Sequence, residues 1–363
     1  MKLSRQLIVL DYILYCQTSF DMKANILLIY TGGTIGMIEN PETGALENFD
    51  FDHLLTYVPE LKRFNINFHS FQFDPPIDSS DMDPSFWVDL VKIIDRNYDN
   101  YAGFVILHGT DTMSFTASAL SFMLENIDKP VILTGSQLPI GKLRTDGKEN
   151  LLTAIEIAAA QHENGDPIVP EVCVFFENHL MRGNRTVKHN AENFNAFSSF
   201  NYPPLATVGI HIKYEYNLIR NKNKGKRLKA HYLYDPNVAI VTLFPGVQRD
   251  IVAPVFENER VKAIVLRTYG SGNAPQKPWF IDLIKQATLR GVIIINITQC
   301  AAGSVDMQRY ETGIHLLNAG VISGYDSTTE CAVTKLMFLL GHGYDYEKVK
   351  HLMSSNLAGE ITR

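Results

Sequence analysis

Four short, almost unbroken apolar runs, Ile26–Tyr30, Phe104–Leu107, Val131–Thr134 and Val172–Phe176, read as strands buried on both faces. Between them, apolar positions recur at helical spacing. Trp87, Leu90, Val91, Ile94 and Tyr98 follow Asp83-Pro84, a cap residue and a helix-opening proline. Phe115, Ala119, Phe122 and Met123 mark a helix over Thr112–Asn126; Leu151, Leu152, Ile155, Ile157 and Ala158 mark another over Asp146–Glu163. This alternation predicts a mostly parallel sheet with helices on both faces. A polar stretch from Tyr216 to Pro236 breaks it, and a second alternation follows: strands Val238–Phe244, Ala263–Arg267 and Val292–Ile297, helices Trp279–Arg290 and Thr328–Leu340. The pattern predicts two α/β domains, a larger N-terminal one over 22–215 and a smaller C-terminal one over 237–363, joined by a linker at 216–236. Residues 1–21 read as an extension outside the fold. Lys2 and Arg5 before an apolar run mimic a secretion signal, but Asp11 interrupts the run and no small-x-small cleavage site follows Tyr15-Cys16-Gln17.

Composition narrows the class. At 363 residues the chain exceeds the size at which one core usually stays single. With 45% hydrophobic and 20% charged residues it is an ordinary soluble globular protein. A formal net charge of −6 argues against a nucleic-acid partner. The basic run Arg220–Lys229 has no interleaved aromatics and reads as solvated linker. No apolar stretch reaches membrane-spanning length. Four cysteines without C-x-x-C spacing suit a reducing cytosol, and Cys173, inside a strand pattern, reads as a buried thiol.

The chemistry lies where strands end. The first strand runs into Thr31-Gly32-Gly33-Thr34-Ile35-Gly36, and the second into His108-Gly109-Thr110-Asp111-Thr112. In an open α/β sheet both turns would face a crevice outside the carboxyl ends of the strands. The first fits neither the dinucleotide nor the P-loop pattern. Each has a structural reading as well, a tight turn with locally bonded threonines for the first and Asp111 as a helix cap for the second. Asp78-Ser79-Ser80-Asp81-Met82 precedes the Asp83-Pro84 helix with more acids and hydroxyls than capping needs. A threonine hydroxyl is a poor nucleophile without a base, and no G-x-S-x-G elbow is present. A lysine beside a carboxylate and an alcohol supplies a base instead, and Lys188 in Arg182–Lys188 is the candidate. Such parts suit attack on an acyl or amide carbon better than phosphate binding.

The ordered set TGGTIG (Thr31–Gly36), DSSDM (Asp78–Met82), HGTDT (His108–Thr112), LTGSQ (Leu133–Gln137) and RGNRTVK (Arg182–Lys188) closely resembles the bacterial L-asparaginases, with the wider match favouring the cytoplasmic, type I branch. The likeness runs through Arg267–Pro275 and Thr298–Cys300 to the tail and covers essentially all of residues 24–363. It implies hydrolysis of L-asparagine to L-aspartate and ammonia by an acyl-enzyme route, without metal or organic cofactor. It also implies a homodimer or a dimer of dimers. Thr34 matches the usual nucleophile; Thr110, Asp111 and Lys188 match a second hydrogen-bonded group. Asp78, Ser79, Ser80 and Asp111 match residues that hold the amino-acid end of the substrate. Which threonine forms the covalent bond stays open.

Two departures belong to the same comparison. Pro41–Leu46, after the first motif, has no tyrosine, so no residue carries over for a lid tyrosine. Arg267, Asn273 and Cys300 match positions of a second, activating asparagine site in some type I relatives, but Val187 stands where a threonine is expected. Cys300 also reads as a buried thiol beside a strand of the second domain. Three other functions fit parts of the pattern: preference for glutamine, the asparaginase-like subunit of a tRNA-dependent amidotransferase, and a non-catalytic amino-acid sensor.

Overall fold

The computed structural model describes residues 23–39, 46–48, 58–220 and 225–362. The expected extension at 1–21 and the stretch Pro41–Ala45 lie outside the described residues. In chain order the elements that position the site are β1 (Ala24–Tyr30), β2 (Ile66–Gln72), α1 (Pro84–Asn97), β3 (Gly103–Leu107), α2 (Met113–Met123), β4 (Val131–Thr134), α3 (Gly147–Ala159), β5 (Val172–Phe176) and β6 (His179–Arg182). Next come β7 (Ala206–Val208), β8 (Ile212–Tyr214), β9 (Val238–Thr242), α4 (Arg249–Glu257), β10 (Ala263–Thr268), α5 (Pro278–Leu289) and β11 (Ile293–Thr298). The last are α6 (Glu311–Asn318), β12 (Ile322–Ser323), α7 (Thr329–Gly341) and α8 (Tyr346–Met353).

Strands β1 to β8 form one sheet in the order β8-β7-β6-β5-β4-β3-β1-β2, parallel from β2 to β5 and antiparallel beyond. The buried strands are apolar throughout because both faces are covered. Leu28, Val105 and Ile132 pack with Leu151, Ala154 and Ile155 of α3 on one side. Leu27, Ile29, Phe104 and Ile106 pack with Leu90 and Val91 of α1 and Leu120 of α2 on the other. The order reverses at β1. From β1 the chain passes to β2 on one side, then crosses back to β3 on the other, so a switch point opens at the carboxyl ends of β1 and β3. A second, wholly parallel sheet runs β9-β10-β11-β12, with α4 and α5 against one face and α7 and α8 against the other. The fold class is therefore the expected one, two α/β domains with the larger sheet first. No helix among the described residues is long and apolar enough to cross a membrane.

Several elements escape the apolar pattern for identifiable reasons. Among the described residues strand β2 is an edge strand paired only to β1, and its INFHSFQ sequence alternates and stays half exposed. Helix α4 contains Pro254, a residue that argues against a helix interior when read from sequence. The helix expected to run to Asn126 stops at Met123. Leu124–Glu125 instead pairs with Lys229–Ala230, and Asn126 turns the chain at φ 62°.

Candidate active site

Parallel register places the strand ends level. Tyr30 lies opposite both Gln72 and Leu107, and Leu107 lies opposite Thr134. The turns that follow therefore leave the sheet side by side, and backbone bonds hold them together. Thr31 N–H donates to Leu107 O at 3.0 Å, Ile77 N–H to Thr31 O at 2.7 Å, and His108 N–H to Thr134 O at 2.9 Å. Glycine is required where the turns touch. Gly33 sits at φ 92°, and a Cβ there would lie 2.5 Å from Gly109 Cα; a Cβ on Gly109 would lie 2.5 Å from Ser79 Oγ. The three polar turns thus meet at one point, with Thr34, Thr110 and Ser79 adjoining the contact.

Each turn is fixed from behind. Asp78 accepts from the Ser80 N–H and hydroxyl, both at 2.9 Å, and these donors lower its pKa and keep it a carboxylate. Thr112 donates to Ser79 O at 2.7 Å, joining the second and third turns. Under the second turn lies His108, fully buried and therefore neutral, its pKa pushed down to about 4 by burial. Its Nδ1 faces Gly109 O at 2.7 Å, and a carbonyl only accepts, so Nδ1 carries the proton. Its Nε2 then accepts from Thr116 at 2.9 Å, while Trp87 Nε1–H donates to the same Thr116 oxygen at 3.2 Å. Carbonyl and N–H point oppositely across a trans peptide, so the Gly109–Thr110 unit directs its N–H away from the buried ring.

Lys188 arrives from a separate segment, a two-residue strand Val187–Lys188 paired antiparallel with Phe197–Ser198. Its ammonium donates to Thr110 Oγ1 at 2.8 Å and to Asp111 Oδ1 at 2.6 Å. Asp111 is not the cap of α2, for Thr112 holds that position. Of the pair, the lysine side chain is 18% exposed and the carboxylate 63%. Among the described residues no hydrogen bond holds the Thr34 hydroxyl.

Gln137 is the residue that motif reading passed over, although it ends LTGSQ at the carboxyl end of β4. Its Nε2 donates to Ala191 O and Asn193 O, both at 3.1 Å, which leaves Oε1 facing the Thr110 hydroxyl at 3.4 Å. Asp146 accepts from the N–H groups of Gln137 at 2.9 Å and Leu138 at 3.1 Å, anchoring that turn.

A second cavity of about 270 Å³ lies between the two domains and is lined by Lys188 itself. Arg267, Cys300 and Glu330 line it, together with Arg185, Val187 and Asp326. Cys300 is exposed, so its reading as a buried thiol does not hold. Arg267 Nε and Glu330 Oε2 are buried without a hydrogen-bond partner, and burial raises the Glu330 pKa. Asn273 is placed elsewhere, in a turn where it accepts from Thr312 at 2.7 Å. Among the described residues no group of three His, Cys, Asp or Glu side chains is disposed to hold a metal ion.

Paired threonines, a carboxylate and a lysine at the switch point of a doubly covered sheet are the equipment of hydrolytic acyl-transfer enzymes. Family comparison makes the assignment specific. The Asparaginase, N-terminal family matches residues 25–220 and the Glutaminase/Asparaginase C-terminal domain matches residues 237–353. The chain belongs to the asparaginase family. It is 45% identical to L-asparaginase 1 of Escherichia coli over 94% of this chain and 98% of that one. The crystal structure of L-asparaginase I from Vibrio cholerae superposes with a TM-score of 0.85 at 44% identity, covering 94% of this chain and all of the other. The L-asparaginase of Thermococcus kodakarensis superposes at 0.84 with 33% identity, over 93% and 99% of the two chains.

Proposed function

We propose that this protein hydrolyses L-asparagine to L-aspartate and ammonia through an aspartyl ester on a threonine. The observation that carries the reading is the Lys188 ammonium, held between the Thr110 hydroxyl and the Asp111 carboxylate at 2.8 and 2.6 Å beside the Thr34 turn. Thr110 is already bonded to Lys188 and Gln137, whereas the Thr34 hydroxyl is not engaged by any described residue. That difference favours Thr34 as the group that attacks the side-chain amide carbon. Thr110, Lys188 and Asp111 then form the relay that delivers a proton to departing ammonia and is refilled by the proton Thr34 loses on attack; in the second step it takes a proton from the hydrolytic water and returns one to the Thr34 oxygen. The outward Thr110 N–H is suited to the developing oxyanion. The Asp78 and Asp111 carboxylates face the substrate α-ammonium, and Ser79 and Ser80 line the α-carboxylate end.

The finer expectations rest on further features. Buried or unpaired cysteines at 173, 300 and 331 support a cytoplasmic protein. Exposed Ile240, Phe244 and Ile251 on and beside the edge strand β9 support a homodimer or homotetramer. Arg267 and Cys300 in the second cavity support asparagine as an activator, with Val187 lacking the hydroxyl expected there; Asn273 takes no part in this reading. The domain limits proposed are 22–215 and 237–363.

Ammonia release from L-asparagine and L-glutamine over a concentration series tests activity, preference and activation together. A hyperbolic asparagine curve removes the activator role. Thr34→Ala and Thr110→Val each lower turnover by about 10² to 10⁴. Mass analysis of the parental enzyme quenched during turnover of L-asparagine finds the aspartyl group on the Thr34 peptide. Near-parental ammonia release from both threonine variants refutes the mechanism.

A further inference from the structure

Lys188 is brought to the crevice by a segment whose turn, Gly183–Arg185, has its polar side chains buried. The side chains of Arg182, Asn184 and Arg185 are almost wholly buried, and they bind the segment Leu357–Thr362 of the second domain. Asn184 donates to Ala358 O at 3.0 Å. Arg185 donates to Gly359 O at 2.8 Å, Thr362 Oγ1 at 3.1 Å and Asp326 Oδ2 at 2.8 Å. Asp326 uses its other oxygen to accept from Thr362 N–H at 2.9 Å. Arg182, paired with Glu171 at 2.7 Å, also reaches Gly359 O at 3.4 Å. The fit excludes a side chain at position 359, where φ is +86° and a Cβ would lie 2.7 Å from Arg182 Nη1. The segment is fastened to its own domain through Glu360, fully buried, which accepts from Lys335 and from the N–H groups of Leu357 and Ala358.

We propose that Leu357–Thr362 is a positioning strap for Lys188. Acting through Asn184 and Arg185, it fixes the turn that ends three residues ahead of the lysine and so aims the ammonium at Thr110 and Asp111. Among the described residues no hydrogen bond joins the strap to Thr34, Thr110, Asp111 or Lys188. Its effect is on geometry, where a misplacement of about 1 Å costs on the order of a hundredfold in rate. The inference rests on Lys188 carrying the proton in the proposed reaction.

Two proteins test it: the chain ended at Asn356, assayed with and without a synthetic peptide of residues 357–363, and full-length Arg185→Lys. The lysine keeps a cation facing Asp326 but loses the donors to Gly359 and Thr362. Both are expected to lose at least about tenfold in kcat with KM for L-asparagine within about threefold. The peptide restores kcat saturably, and hydrogen exchange at the amides of Thr186–His189 accelerates in both variants. Parental kcat in either folded variant overturns the proposal. So does a loss of activity with unchanged exchange at 186–189, which marks a merely structural role. Should the shortened chain fail to fold, Arg185→Lys decides alone. If the unaltered protein releases no ammonia, the catalytic reading fails, and the exchange data still decide whether the strap orders the lysine segment.

Discussion

Replacing Lys188 by methionine separates chemistry from stability more cleanly than any other single change in this protein. Methionine keeps an unbranched side chain of similar reach and removes the charge and all three donors. The stability side is small. The lost partner Asp111 is 63% exposed, so water rehydrates it, and a wet ion pair contributes at most about 1 kcal/mol. For a chain of this size that moves Tm by no more than about 3 °C. The chemical side is large, because Thr110 loses the donor at 2.8 Å and the relay loses its proton carrier. A proton-transfer group is worth about 10² to 10⁴ in rate, or ~2.7–5.4 kcal/mol at ~1.36 kcal/mol per decade. Steady-state ammonia release and thermal melting on the same preparation read both quantities. Lys188→Arg sharpens the result, since a guanidinium keeps the charge but gives up no proton at working pH. A folded Lys188→Met enzyme within about fivefold of parental kcat refutes the reasoning. Recovery of activity by arginine reduces the lysine to an electrostatic anchor.

Two further predictions concern the frame around the site. Gly33→Ala forces a Cβ to within 2.5 Å of Gly109 Cα at φ 92°, a backbone clash that rotamer changes cannot relieve. We expect about 2–4 kcal/mol of lost stability in denaturant titration, with activity lost first; a stable, active Gly33→Ala protein would show that the turns do not abut. His108 is neutral in the fold down to about 4, whereas the unfolded chain protonates near 6.5. Between those values the unfolded state binds the extra proton, so stability rises with pH through the window and falls by at most about 3 kcal/mol as acid is added. Melting temperatures across this range should slope for the parent and flatten in His108→Asn; equal slopes in both would place the titration elsewhere.

The sequence makes the buried strands and the turns at their ends legible, because strands covered on both faces write themselves as apolar runs. Ile26–Tyr30, Phe104–Leu107 and Val131–Thr134 needed no tertiary information. Strand β2 did, since an edge strand with a wet face carries a half-polar INFHSFQ. Among site residues, Thr34, Thr110 and Asp111 follow strands in sequence and are found by position alone. Spacing cannot place Lys188, which lies 78 residues from Thr110 in sequence and meets it only through sheet topology. Gln137 was hidden for another reason. Its role depends on which way its amide points, and two backbone carbonyls of the 191–193 loop decide that. Arg182, Asn184 and Arg185 read as part of a motif, but their partners in the 358–362 segment lie more than 170 residues on and include backbone carbonyls, which no residue pattern records.

The arrangement also explains why chemistry confined to one domain depends on two. Every reacting group proposed here, Thr34, Thr110, Asp111 and Lys188, belongs to the first sheet or its appendages. Three of them sit on turns that the level register of β1 and β3 would hold in isolation. The lysine has less support, for among the described residues its two-residue strand pairs only with Phe197–Ser198. What fixes its approach is the preceding turn, and that turn is bonded to Asp326 and to Gly359 and Thr362. The Arg185–Asp326 pair is nearly dry, with side chains 1% and 9% exposed, so breaking it strands a buried charge. Separation of the domains is therefore expensive at the very contact that orients the lysine. The same two residues wall the cavity holding Arg267 and Glu330. Lys188 lines it too, so a ligand seated there would meet the lysine directly as well as Arg185, without any motion of the sheet that carries the threonines.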